Sequence, residues 1–249
     1  MKRGHRVKTV LALLLLLPFR ANAAEVQVLT AGAYRAVLVA VAPAIQAELG
    51  TTLVIRNETA GVVAQKLRDG DSADLVVLPP AAAAPVAALL GPLRPLARVG
   101  IGVAVREGAP QPAIGTEAEV RAAIVAARAP AWINPAAGGS SGIYMTALVS
   151  RWGIADQVLP HAVLVGGGLV SDAVADGRAD IAFQQLSELN HTPGVVIVGP
   201  LPSAIQSYTM YAGAIPLRSA QKEAASAVLT WLASPRAAAA LRDTGMDAP

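Results

Sequence analysis

The sequence predicts an α/β protein of two lobes, joined by two crossing strands and facing each other across a cleft. Three observations carry that prediction. Short β-rich runs alternate with helical stretches, the alternation occurs twice in blocks of 53 residues (26–78 and 131–183), and each block is followed by a lone run of small and β-branched residues. Strands that alternate with helices imply parallel sheets covered on both faces.

In the first block, residues 26–30 read as a strand, 34–49 as a helix closed by Gly50, 53–56 as a strand, 61–69 as a helix closed by Gly70, and 75–78 as a strand. The helix readings rest on apolar residues near a four-residue spacing (Val37, Val41, Ile45, Leu49; then Val63, Leu67) with glycine at each C-cap. Pro43 interrupts the first helix and is a candidate kink. The second block repeats the order: strand 131–133, helix 141–152, strand 163–165, helix 170–175 and strand 181–183. Residues 97–105 and 208–215 read as the two crossing strands, and helices at 220–232 and 236–242 are expected to pack back on the first lobe. The expected division is therefore 24–98 with 216–249 for the first lobe and 99–215 for the second.

Of the 249 residues, 54% are hydrophobic and 15% charged, with a mean hydropathy of +0.49, a balance that allows a sizeable core and excludes charge-driven disorder. The absence of cysteine excludes disulfides, thiolate metal sites and a cysteine nucleophile, and three scattered histidines argue against a histidine-built metal site. No metal and no cofactor are expected. With 4% aromatic residues there are few stacking platforms for single-stranded nucleic acid, so that partner is not expected either.

Residues 1–23 carry five Lys and Arg and no acid, then an apolar run from Val10 to Phe19, then Ala21-Asn22-Ala23. That order is a signal peptide with its cleavage site, removed on export. Taking five from the 20 Lys and Arg leaves 15 against 17 Asp and Glu, a net charge of −2 for the exported chain. No later stretch is apolar for the ~18 residues a membrane span requires, and no cysteine can carry a lipid, so a monomeric periplasmic protein is expected.

Ligands of open α/β sheets bind where strand ends lead into helix N-termini. Four such loops stand at equivalent places: Ala31-Gly32-Ala33, Asn57-Glu58-Thr59-Ala60, residues 134–142, and Gly166-Gly167-Gly168. All are small, polar or glycine-rich, which lets backbone N–H groups approach a ligand, and helix N-termini converging on one cleft favour an anion. Arg35, in a first helical turn, would be offset by such an anion; Arg56 ends a strand near the cleft, and both also fit a solvated face. Gln184 and Gln185 close the last strand of the second block and offer donors and acceptors to a carboxylate. Glu58 and Glu188 are the acids nearest the predicted cleft. Gly138-Gly139-Ser140-Ser141-Gly142 matches G-x-S-x-G, with Asp172 or Asp180 and then His191 in hydrolase order. However, Asn134-Pro135-Ala136-Ala137 separates the motif from its strand, whereas a nucleophile elbow turns sharply off the strand end. His161 and His191 sit beside prolines and read as solvated turn residues.

At these residues the chain resembles the periplasmic molybdate-binding proteins and their relatives among type II solute-binding proteins: VLTAGAYRAVL at 28–38, QKLRDGDSADLVVL at 65–78, NPAAGGSSGIY at 134–144 and ADGRADIAF at 175–183. The resemblance implies two α/β lobes that close on an anion through helix N-termini and deliver it to a membrane permease driven by an ATPase. It also implies departures. Two of the family's binding serines fall on Ala33 and Ala60 and its binding tyrosine on Gln185, while its backbone N–H contacts fall near Ser141 and Gly167. Thr59 and Ser140 are the residues that could replace the lost hydroxyls. The segment Gln184 to Glu188, with GPLPSAIQ at 199–206, is similar to a periplasmic branch of the same superfamily that includes aconitate isomerase, an enzyme on the solute-binding fold. Two functions follow as expectations. The first is a binding protein for a small anion, an organic carboxylate before molybdate, with Gly32, Ala33, Arg35, Thr59, Ala60, Ser140, Ser141, Gly167, Gln184 and Gln185 around the ligand. The alternative is a cofactor-free isomerase of aconitate in which Glu58, then Glu188, moves the proton and Tyr34 acts only if its pKa is strongly lowered.

Overall fold

A computed structural model describes residues 24–189 and 192–249. The predicted signal peptide (1–23) and His191 lie outside the described residues. The chain folds into two five-stranded sheets built on one plan. In the first block, β1 (Ala24–Ala31), α1 (Arg35–Leu49), β2 (Thr51–Glu58), α2 (Ala60–Arg68) and β3 (Leu75–Leu78) follow the predicted order, and the short α3 (Pro80–Ala83) leads on to β4 (Arg94–Val99). The second block runs β5 (Ile101–Arg106), α4 (Glu117–Ala126), β6 (Pro130–Ile133), α5 (Ser140–Arg151), α6 (Ala155–Val158), β7 (Val163–Val165), α7 (Ser171–Ala175), β8 (Ile181–Gln185), α8 (Leu186–Leu189) and β9 (Val195–Pro200). The chain then returns through β10 (Thr209–Ala214) and ends in α9 (Lys222–Leu232) and α10 (Ala238–Asp243).

The strand orders are β2-β1-β3-β10-β4 and β7-β6-β8-β5-β9. In each sheet three adjacent strands are parallel, the next (β10 or β5) is antiparallel to them, and the edge strand beyond it (β4 or β9) pairs antiparallel with that strand and so runs with the first three. Parallel strands buried on both faces need near-continuous apolar runs, and β3 and β6 are buried along their whole length. α1 ends on Gly50 in the left-handed region (φ 64°), where glycine escapes the Cβ penalty. Pro43 stays inside α1 on its exposed face, so it ends nothing.

Two readings need correcting. Residues 97–105 form not one strand but the end of β4 and most of β5, which belong to different sheets and meet at Gly100. The local run of β-branched residues gives no sign of the sheet change. The return strand β10 pairs with β3 and β4 in the first sheet, so the crossing back lies ahead of Thr209 and the second lobe ends earlier than residue 215. Gln206 ties the two crossings together: its Oε1 accepts from Ile101 N–H (2.8 Å), and its Nε2 donates to Ile101 O (3.0 Å) and Leu201 O (3.2 Å).

The first lobe has one contiguous core, into which α9 and α10 contribute Val228, Leu229, Trp231, Leu232 and Leu241. The second has a core on each face of its sheet, one around Trp132 and Phe183 and one around Ile133 and Val174. Each large apolar side chain buried there contributes on the order of 1.5–3 kcal/mol. Among the described residues no helix is long and apolar enough to cross a membrane.

Candidate functional site: a cleft between the two sheets

The four loops predicted to bind a ligand all line one cavity of ≈ 430 Å³ between the lobes. Strand ends of β1 and β2 bring Gly32, Ala33, Glu58, Thr59 and Ala60 from one side; Ser140, Ser141, Gly167 and Gln185 come from the other. Arg35, exposed at the start of α1, lines it as well, and no acid of the described residues lies within ion-pair distance of it. The cavity is lined by helix starts, a glycine loop, one cation and the acids Glu58, Asp172 and Glu188; the helix starts and Arg35 are the part of the lining that suits an anion.

The lobes touch at the rim. The Thr59 hydroxyl donates to Ala137 O while its oxygen accepts from Val62 N–H (3.4 Å), and Gly61 N–H donates to Gly138 O (3.2 Å). The contact is possible because both residues lack Cβ: one added to Gly138 would lie 2.7 Å from Gly61 Cα. In this structure the Thr59 hydroxyl, which also lines the cavity, caps α2 and latches the lobes. Ser140 lines the cavity with no capping bond.

Gln185 occupies the centre of the second-lobe wall. With its amide oriented to match donors with acceptors, its nitrogen donates to Ser141 Oγ (2.9 Å) and Glu188 Oε2 (3.0 Å), and its oxygen accepts from Ser141 N–H (3.3 Å). Glu188, on the single turn α8, reaches across to Gly32 of the first lobe, where a Cβ would lie 2.5 Å from Glu188 Oε1. Burial pushes its pKa up to about 8, the neighbouring Gln184 amide offsetting part of the rise. No lysine or arginine of the described residues pairs with it.

Other predicted site residues have different tasks. Gln184 is fully buried and does not line the cavity: its Oε1 accepts from Val170 N–H (2.7 Å) and its Nε2 donates to Gly168 O (3.0 Å), which fixes the glycine loop. Glu58 lines the cavity but its carboxylate pairs with Lys66 (2.7 Å). Arg56 pairs with Asp71 through two bonds (2.8 and 2.6 Å) outside the cavity, and that guanidinium holds the Asp71 carboxyl below its usual range. Tyr34 is buried beneath the site, stacked on Tyr211 at 6.3 Å, and burial raises its pKa, the opposite of what an acid–base role requires. Of the two acids that keep hydrolase order, Asp180, just ahead of β8, accepts from the N–H groups of Arg128 and Ala129 ahead of β6, outside the cavity, while Asp172 lines the cavity and accepts from the Thr192 hydroxyl (3.1 Å).

Sequence reasoning missed Tyr211 and Ser187. Tyr211 comes from β10 and lines the cavity; burial and the nearby Glu188 raise its pKa well above normal. The Ser187 hydroxyl, also at the cavity wall, is buried without a hydrogen-bond partner. Among the described residues no cluster of three His, Asp or Glu side chains could hold a metal ion.

Comparison with known proteins places this architecture. The family described as bacterial extracellular solute-binding protein matches residues 26–247. The chain belongs to that family. This solute-binding protein is 32% identical over 230 residues to an aconitate isomerase from Pseudomonas sp., covering 88% of this chain and 86% of the relative. Among solved structures it resembles the periplasmic molybdate-binding protein of Azotobacter vinelandii (TM-score 0.75, 19% identity, 90% of this chain and 99% of that one). It also resembles the sulfate-binding protein of Mycobacterium tuberculosis (TM-score 0.70, 15% identity, 90% and 86%). At these identities the solved structures establish the fold: two α/β lobes of the periplasmic solute-binding type.

Proposed function

We propose that the protein is exported, cleaved before Ala24, and captures a small organic carboxylate between its lobes for delivery to an ATP-driven permease. The observation that carries this reading is the cleft lining. Ala33, Ala60 and Gln185 stand where the resemblance puts the hydroxyls of an oxyanion site, and the cavity of ≈ 430 Å³ is larger than a four-oxygen anion fills. That volume falls within the roughly 300–1,000 Å³ of small-molecule clefts. A thermal-shift screen of mature protein against oxyanions and di- and tricarboxylates tests it, since a ligand that binds only the folded form raises apparent stability. The expected hit is a carboxylate; stabilisation by molybdate or sulfate alone sinks the reading.

A second reading is favoured by one specific feature. Glu188 lines an anion-binding cleft with no cation of the described residues to pair it, so its ionisation works against an anionic ligand; a pure binder does not require such a group, whereas an acid–base catalyst does. Together with the likeness to aconitate isomerase, this supports interconversion of cis- and trans-aconitate in the same cleft without metal or cofactor. Following both isomers by NMR in the presence of purified protein tests it; binding without conversion at high protein concentration leaves transport standing alone.

A further inference from the structure

The isomerase reading leaves open which group moves the proton, and the inference here rests on that reading. Aconitate carries a CH₂ and a vinylic CH on either side of a central carbon, each bearing a carboxylate. Breaking one methylene C–H bond and forming a C–H bond at the former vinylic carbon moves the double bond one position and regenerates the same skeleton. The electron pair of the broken bond becomes the new π bond, and the old π pair takes the proton. One proton out and one in balances the reaction, with no oxidant, reductant or water consumed. A single acid–base group within reach of both carbons suffices.

We propose that Glu188 is that group, a catalytic residue that takes the proton from one terminal carbon and returns it to the other, held in place by Gln185 as a positioning residue. Four acids or phenols face the cavity: Glu58 at the end of β2, Asp172 on α7, Glu188 on α8 and Tyr211 on β10. Glu58 is paired with Lys66 at 2.7 Å, and Asp172 accepts from the Thr192 hydroxyl at 3.1 Å. Tyr211 is buried in an environment that keeps it protonated. Glu188 alone has one oxygen held by an amide, at 3.0 Å, while the other is pressed towards the opposite lobe beside Gly32. A carboxyl pushed up to about 8 can both accept and return a proton near neutral pH. The buried, unpartnered Ser187 hydroxyl beside it is free to donate to a substrate carboxylate, and the helix starts with Arg35 meet the charge that develops on the others.

The test compares variants by kinetics and by calorimetric titration with each aconitate isomer. Glu188→Gln is expected to lower kcat about 10³-fold while Kd stays within about threefold. Glu58→Gln is expected to lower kcat far less. Wild-type kcat/KM should rise with pH to a plateau above about 8, as the carboxylate form accumulates, and Glu188→Asp should keep a measurable rate with that limb moved. Gly32→Ala supplies an independent probe. Its methyl displaces the Glu188 carboxyl without removing it, and kcat should fall at least tenfold in a protein that still binds both isomers. Wild-type protein that binds but converts nothing overturns the isomerase reading and this inference together. Wild-type conversion retained within tenfold in Glu188→Gln, or lost in Glu58→Gln instead, overturns the assignment of Glu188 alone.

Discussion

The two lobes share a strand plan and differ in what they do with charge. In the first, Glu58 at the cleft and Asp71 outside it are both neutralised by bases, Glu58 by Lys66 and Asp71 by Arg56. Its third parallel strand, β3, runs into Pro79 and the apolar α3 (PAAA), which carries no polar side chain. In the second lobe the corresponding strand, β8, ends in two buried glutamines and runs into α8, which brings Ser187 and Glu188 to the cavity. The same topology thus yields one wall of helix ends with a paired acid and the unpaired Arg35, and one wall with a free hydroxyl and a free carboxyl. Fold supplies the cleft; the single turn after the third strand supplies its chemistry.

The glycines mark the difference and allow it to be broken. Gly142 lies inside α5, and a Cβ there would meet Ile133 O at 1.9 Å, within the second lobe itself. Because the obstacle is backbone on the adjacent strand, Gly142→Ala should separate α5 from β6 and cost at least ~3 kcal/mol. Chemical denaturation checks this; a cost under ~1 kcal/mol would mean that the helix seat is not rigid. The next effect is the pH dependence of the free carboxyl. Glu188 keeps its proton in the folded state up to about 8 but, unfolded, releases it near the ordinary 4.5. The folded state therefore binds more protons across that window, and stability falls as pH rises through it. Ligand-free protein should lose stability between pH 5 and 9 relative to Glu188→Gln by on the order of 2 kcal/mol, allowing for solvent in the cleft. Parallel melting curves for the two proteins would remove Glu188 as an unpaired buried acid.

The lobe plan was legible in the sequence because its signals are local. Strands at 75–78 and 163–165 match to the residue, and helices at 34–49, 61–69 and 141–152 lie within one residue of their observed bounds, since apolar spacing and punctuating glycines act over a few positions. What failed depends on distant partners. β9, which completes the second sheet against β5, was not recognised, and neither was the break at Gly100, because nothing near Val99 signals that the next strand pairs elsewhere. The site divides the same way. Position at a strand end identified the four loops, but ranking Glu188 above Glu58 required knowing that Lys66 folds back onto Glu58 and that the cleft walls enclose Glu188. Tyr211 could not be placed at all before its strand was assigned to the first sheet.

Closure joins the two walls, and its test sharpens the comparison further. Gly61 and Gly138 meet backbone to backbone, with a Cβ on Gly61 falling 3.0 Å from Gly138 Cα. Gly61→Ala leaves each lobe intact and holds them slightly apart, unlike a change at Gly138, whose φ of 73° adds backbone strain. Carboxylate affinity should weaken roughly tenfold, about 1.4 kcal/mol, with little change in unliganded stability. Calorimetry measures the first and small-angle scattering the ligand-induced compaction, which should shrink; unaltered affinity would mean that the rim contact contributes nothing to capture.

The smallest effect belongs to the first lobe's paired charges and carries the opposite pH sign. Arg56 donates to both oxygens of Asp71, but the arginine is 37% exposed, so solvent screens most of the attraction and the pair is worth only ~0.5–1 kcal/mol. Because the guanidinium holds the Asp71 carboxyl below its usual 3.8, the folded state releases that proton more readily than the unfolded chain. The stabilisation is complete above 3.8 and fades as pH falls below it, the reverse of the loss with rising pH expected for Glu188. Arg56→Gln should therefore be less stable than wild type by that amount at pH 7, approach it as pH falls below 3.8, and bind ligand unchanged, since the pair lies outside the cavity. A variant that instead loses ligand affinity would bring Arg56 back into the site, and with it a second cation for the carboxylate, erasing the contrast between a lobe that pairs its acids and one that leaves an acid free.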